Sequence, residues 1–489
     1  MSKSLFLRRV VASATAFVLL ACVWRGASAQ GDLMANLGVF VEPPASLRFS
    51  QRRAPAAPKR FAARRTRPTS SSSSSSGTSR PPRGGTASST PAGSSGRPSG
   101  AGAPAPTAEA LNARGEAASS AGRHEDAAAA FRNAVRLKAD YADAHFNLGH
   151  ALFELGRYDE AAASLKEAAR LNPRDAESQS LLGATYDKLK RPSDALEAYR
   201  KGAQLDPSDA ETQFALGNAY AATGRPAEAV EAYKQAVRVN PNYAEAHYNL
   251  GEAHFKAGRY EEAAAEYRLA STLKPNDAEA LANLGDSYRL LNRFPEAADA
   301  YEKALRLKPN DADILADLGY VYCRTPGKWG MAIDRLQKAV ALKPDHVEAR
   351  INLSWALNNQ GASLRNQSRF AESVATLKEA LRLQPQNPSA HFNSGIAYSR
   401  LGRFDEAHDS FTQAIRYKPN WAEAHNNLGF AQGNLGRWKD AIRNHEEAVR
   451  LKPDYGGAYF NLAVAYRKSG NKKKAKEQQT RLKAINPKL

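Results

Sequence analysis

Apolar and polar residues follow two superposed periods along most of this chain. Over stretches of about a dozen residues, apolar positions recur at three- and four-residue spacing, the pattern of an amphipathic helix. That pattern restarts every 34 residues. In residues 244–277, Leu250, Gly251 and His254 belong to a first helical run. Ala263, Tyr267 and Ala270 belong to a second, and residues 256–259 interrupt the two. The interruption predicts a tight turn, with Gly258 in the left-handed conformation that glycine adopts without steric cost. Pro275 cannot continue the second helix and ends it. Asp277 is placed to cap the next first helix, and Glu279 to complement its dipole. Gly251 and Ala263 are small enough for the two helices to approach closely, and Tyr267 is expected to fill the space between repeats.

The same landmarks recur in phase. Gly115, Gly149, Gly183, Gly217, Gly251, Gly285, Gly319, Gly361, Gly395 and Gly429 share one position. Prolines from Pro173 to Pro487 share another. Self-similarity at this period marks a repeat array, and the residues at these positions resemble the tetratricopeptide repeat family. The resemblance covers residues 107–489. It implies an all-α, right-handed superhelical solenoid of about eleven helix hairpins, whose first helices line the concave face. The expected repeats are 108–141, 142–175, 176–209, 210–243, 244–277, 278–311, 312–346, 347–387, 388–421, 422–455 and 456–489. The eighth is long: residues 347–353 are extra, and seven residues turn a helix through about 700°, nearly two full turns. A first helix extended from residue 347 to about 366 therefore keeps Asn352 and Asn359 on one face. Trp329 and Trp355 bracket this zone, and a turn at residues 325–329 carries one further extra residue.

The sixth repeat position holds Asn147, Asn249, Asn283, Asn359, Asn393, Asn427 and Asn461. This is similar to the asparagine ladder in the repeats of O-linked N-acetylglucosamine transferases, where amides grip the backbone of an extended peptide. An amide offers a donor and an acceptor together and so matches a peptide group. These residues, with Asn352, Tyr248 and Phe392, are the candidate peptide-binding set. The competing reading is that the amides bond to the neighbouring repeat and that the aromatic residues at the fifth position pack. Basic residues late in the first helices, such as Lys188, Lys256, Arg289, Arg365, Arg400 and Arg467, belong to solvated faces or to the groove margin. The second position is acidic at Glu177, Glu211, Glu245, Glu279 and Glu348, which argues against a lysine clamp for a carboxyl-terminal tail.

Composition changes the picture only at the ends. Lys3, Arg8 and Arg9, an apolar run at residues 10–24 and Ala27-Ser28-Ala29 form a secretory leader pattern over residues 1–29. Residues 19–22 also resemble a lipobox, which offers Cys22 as a lipidation site. Residues 30–106 form a Pro/Ser/Gly-rich linker expected to be disordered, with no acid between residues 43 and 107. Of the net charge of +19, residues 31–107 carry +9 and the repeats only +6. Such a segment suits an anionic envelope surface, and export disfavours nucleic acid as a partner. Two cysteines, Cys22 and Cys323, leave no disulfide once the leader is removed. Together these features predict a protein of the periplasm or cell envelope.

No phosphate-cradling loop, zinc-type cluster or nucleophile elbow is present. His145, His247, His391 and His425 share one repeat position and read as consensus residues. No cofactor, metal or enzymatic activity is expected. The sequence therefore points to a non-catalytic scaffold or adaptor that binds an extended polypeptide in its groove. The alternatives are an envelope tether acting through the basic tail or Cys22, and a non-catalytic subunit of a glycosylation or polymer-export complex.

Overall fold

The computed structural model describes residues 106–485, and among them there are only helices, turns and bends. The leader, the basic linker and Cys22 lie outside the described residues. Two compact units divide the chain between Pro309 and Asn310.

The first unit contains α1 (Ala108–Ser120), α2 (His124–Leu137), α3 (Ala142–Glu154), α4 (Tyr158–Leu171), α5 (Ala176–Lys188) and α6 (Pro192–Leu205). It continues with α7 (Ala210–Ala222), α8 (Pro226–Val239), α9 (Ala244–Lys256), α10 (Tyr260–Leu273), α11 (Ala278–Leu290) and α12 (Phe294–Leu307). The second unit contains α13 (Ala312–Cys323), α14 (Trp329–Leu342), α15 (Val347–Asn366), α16 (Phe370–Leu383) and α17 (Pro388–Arg400). It ends with α18 (Phe404–Tyr417), α19 (Ala422–Asn434), α20 (Trp438–Leu451), α21 (Gly456–Lys468) and α22 (Lys472–Ile485). Each odd helix pairs with the next even one, giving six hairpins and then five. Within each unit, first helices of successive hairpins approach one another, as α1 does α3 and α13 does α15. Among the described residues, second helices come into no comparable contact, so each stack turns its first helices inward.

The recurring glycine closes each hairpin. A Cβ built on Gly217 would stand 2.5 Å from the ring of Tyr233, and one on Gly285 would stand 2.7 Å from Tyr301. Gly395 meets Phe411 in the same way, and Gly319 meets Leu336. Each bulky side chain lies sixteen or seventeen residues after its glycine, on the facing helix of the same hairpin. Tyr267, fully buried, lies over Gly251 inside its own hairpin, and its hydroxyl reaches Asn283 of the next.

The predicted punctuation is present. Gly258 has φ +73° and Asn292 has φ +58°. Lys190 and Ser368 fill the same turn position at φ +56° and +61°, with the strain a side chain brings to that conformation. Asp277 caps α11, accepting from the backbone N–H groups of Glu279 and Ala280 at 3.1 Å. The eighth first helix, α15, runs over residues Val347–Asn366, the lengthened element expected from the seven extra residues.

Candidate peptide-binding face

The sixth-position asparagines lie on the inner layer, and most of their amides reach the hairpin before. Asn147 Nδ2 donates to Asn112 Oδ1 at 3.2 Å, and Asn249 Nδ2 to Asn218 Oδ1 at 2.8 Å. Asn283 Nδ2 donates to the Tyr248 hydroxyl at 3.0 Å. In the second unit, Asn393 Nδ2 donates to Asn358 Oδ1 at 2.9 Å, and Asn461 Nδ2 to Asn426 Oδ1 at 3.0 Å. In four of these five bonds the acceptor lies 35 residues earlier, at the fifth position of the preceding repeat. The ladder therefore stitches hairpins together, and Asn112, Asn218, Asn358 and Asn426 are its hidden halves. The sequence signal for Asn112, Asn358 and Asn426 was a 35-residue spacing, one longer than the repeat, whereas Asn218 lies 31 residues before Asn249.

The candidates differ in what they leave accessible. Asn147, Asn283, Asn352, Asn359 and Asn393 are buried, as are Tyr248 and Phe392. Tyr248 stands edge-on to Tyr267, and Phe392 packs against Phe411 and Trp421. Asn249, Asn427 and Asn461 are half-buried. Asn427 is turned onto its own helix, donating to the Glu423 carbonyl at 2.7 Å.

The long helix α15 holds two registers at once. Its N-terminal half is keyed to the preceding hairpin. Trp355 meets Trp329 with ring centroids 5.1 Å apart, across the same 26-residue separation that joins Phe404 to Phe430. Its C-terminal half is keyed to α16, its own hairpin partner. Leu377 covers Gly361, and the Ser373 hydroxyl donates to the Gly361 carbonyl at 2.7 Å. The two registers differ by the seven inserted residues. In the first, Asn352 stands where a sixth-position residue belongs. In the second, Asn359 does, but the residue 35 before it is Arg324, the C-cap of α13. No fifth-position acceptor stands there. The Asn359 Nδ2 group is accordingly buried with no hydrogen-bond partner, and so is Trp355 Nε1.

Two arginines expected on solvated faces are buried instead. Arg289 is ion-paired with Asp286 at 3.3 Å, and the Tyr301 hydroxyl donates to the same carboxylate at 2.7 Å. Arg365 is 8% exposed and has only neutral partners. Its Nη1 donates to Asn393 Oδ1 at 2.9 Å, and its Nε and Nη2 to Asn366 Oδ1 at 3.3 and 3.1 Å. Burial pushes the Arg365 guanidinium below its usual range, and the nearby Arg400 charge pushes the same way.

The repeat-position histidines are structural. The Nε2–H groups of His247, His391 and His425 donate to the carbonyls of Pro241, Pro385 and Pro419, each at 2.9 Å. His145 bonds the Ala139 carbonyl likewise at 3.0 Å. Glu266, 2.6 Å from His247 Nδ1, raises that imidazole's pKa. Cys323 is buried, and burial pushes its thiol up to about 12, which makes it an inert core residue. Among the described residues no group of His, Cys, Asp and Glu could hold a metal ion. No helix among them is long and apolar enough to cross a membrane.

Four family models match the chain. The model described as Cilia and flagella-associated protein 70 C-terminal domain matches residues 175–380. Three described as Tetratricopeptide repeat match residues 118–184, 352–420 and 431–488. No curated protein matches the sequence. Among solved structures, YrrB, described as a TPR protein with an unusual peptide-binding site, is 25% identical; the match covers 38% of this chain and 96% of that one, with a TM-score of 0.36. MamA is 27% identical, with 36% and 96% covered and a TM-score of 0.34. The C-terminal part of a TPR repeat-containing protein from Cytophaga hutchinsonii is 18% identical, with 49% and 98% covered and a TM-score of 0.42.

Proposed function

The chain belongs to the tetratricopeptide repeat family, whose repeats bind other proteins, and from that premise we propose that it is an adaptor holding an extended polypeptide along its first-helix face. The observation that carries the reading is the row of sixth-position amides on that face, with Asn249, Asn427 and Asn461 still half-exposed. Within each unit, a stack that curves its first helices inward offers a concave surface that carries that unit's own amides. Each can present a donor and an acceptor to a peptide group, so recognition would favour extended backbone over a particular side-chain sequence. Asn427 would exchange its bond to the Glu423 carbonyl for one to the ligand. The leader-like residues 1–29 support placing this adaptor in the cell envelope, and cell fractionation tests that placement.

The functional test is affinity capture with the full chain and with an Asn249→Ala, Asn427→Ala, Asn461→Ala variant, followed by identification of what is bound. Loss of the same proteins from the variant at unchanged helicity is expected. An unchanged set of bound proteins would exclude groove recognition through these amides.

A further inference from the structure

The inner layer of the second unit carries a cation without a counter-ion. Arg365 is more than nine-tenths buried, yet no carboxylate among the described residues pairs with it. Its three protein bonds go to the amide oxygens of Asn393 and Asn366. A guanidinium has five N–H donors, so two remain unused. Buried charges in folded proteins are ordinarily paired, because removing an ion from water is costly. Arg289 obeys the rule through Asp286. Arg365 does not.

The surroundings select against an internal partner. After Glu348, α15 contains no acidic residue, and α17 contains none at all. The exposed Arg400, at the end of α17, is close enough to act electrostatically on Arg365. Along α15, Trp355, Asn358, Ala362 and Arg365 succeed one another at three- and four-residue spacing, the spacing of one helix face. Asn359 lies four residues after Trp355, and both present buried donors with no acceptor. Asn393 ties the arginine to this stripe, accepting from Arg365 and donating to Asn358. The region is thus rich in donors, positively charged and short of acceptors.

We propose that Arg365, steadied by Asn393 and Asn366 and flanked by Arg400, receives the carboxylate of an aspartate or glutamate side chain within the bound polypeptide. The lengthened α15 carries Arg365 at its C-terminal end, where the partners it meets are the neutral amides of Asn366 and Asn393. This rests on the reading of the first-helix layer as a peptide-binding face and adds a chemical preference to it. The partner segment would carry an acidic residue where it crosses α15.

The test uses the full chain on an immobilised array of random-sequence ten-residue peptides, printed with free and with amidated C-termini. Peptides containing aspartate or glutamate should be enriched among those bound, equally in both formats. Arg365→Gln should cut that enrichment about tenfold, the scale of a charge-assisted hydrogen bond. Arg400→Gln, at an exposed position that tolerates change, should weaken it in the same direction. Enrichment that survives in both glutamine variants overturns the proposal, and so does bound peptide with no acidic bias. Enrichment confined to free C-termini would assign the site to a chain end and overturn the side-chain form. Binding of no peptide at all would instead sink the underlying groove reading.

Discussion

His445 makes the tenth hairpin sensitive to acid. It occupies the place that Tyr233, Tyr267, Tyr301 and Phe411 fill elsewhere, and its ring atoms would stand 2.7–2.9 Å from a Cβ on Gly429. The imidazole is 2% exposed, and its Nδ1–H donates to Asn426 Oδ1 at 3.0 Å. That oxygen also accepts from Asn461, and Asn426 Nδ2 donates to the Tyr455 hydroxyl at 3.2 Å. Burial lowers the imidazole's pKa to about 4. In the unfolded chain it titrates near the ordinary value of about 6.5. Between these values the unfolded chain binds a proton that the folded chain does not, so stability falls as pH falls. The contribution is fully present above about pH 7 and is lost progressively between about 6.5 and 4. At pH 4.5 the two pKa values correspond to roughly 2.5 kcal/mol lost. The perturbation is His445→Phe, which keeps a planar ring over Gly429 and removes the titration. Urea unfolding followed by circular dichroism at pH 7 and at pH 4.5 measures the change for each protein. Hydrogen exchange in α19 and α20 localises it, since repeat arrays need not unfold as one unit. Other buried histidines, such as His254, cancel in the comparison between the two proteins. The stability difference between the two pH values should be smaller in the variant by roughly 2.5 kcal/mol. Equal pH dependence in both proteins would refute the reasoning.

Gly217→Ala should destabilise the first unit by about 1–2 kcal/mol, because a methyl group 2.5 Å from the Tyr233 ring overpacks the hairpin and outweighs the gain in helix propensity. Gly251→Ala, whose contacts with Tyr267 begin at 3.1 Å, should be nearly neutral, and urea midpoints for the pair check the order. Lys190→Gly and Ser368→Gly should each stabilise by up to about 1 kcal/mol, because both residues hold a positive φ that costs an ordinary side chain energy; thermal denaturation reads this. Trp355→Phe should leave stability unchanged or raised, because it removes a buried N–H that has no acceptor, and calorimetry of the full chain measures it.

Much of the architecture follows from the order of residues along the chain. Helix starts, stops and turns depend on neighbours within four or five positions, so Asp277, Gly258 and Pro275 announce their roles directly. The length of α15 follows equally, because seven residues nearly complete two turns whatever surrounds them. Similar local reasoning places the asparagines on one face. What those asparagines do could not be read this way, since each bond between hairpins spans 31 to 35 residues and depends on the partner that packing delivers. Lys190 and Ser368 were also hidden, because neighbouring residues force them into a conformation their own preferences resist.

The sequence by itself therefore determined a repeating all-α chain and the lengthened first helix of its eighth hairpin. Only tertiary structure decided which amides are committed between hairpins, why Asn359 is left without an acceptor, and that Arg365 and His445 are buried. The division has one physical cause. Helix formation is governed by short-range periodicity, whereas satisfaction of a buried polar group depends on which residues from separate hairpins meet.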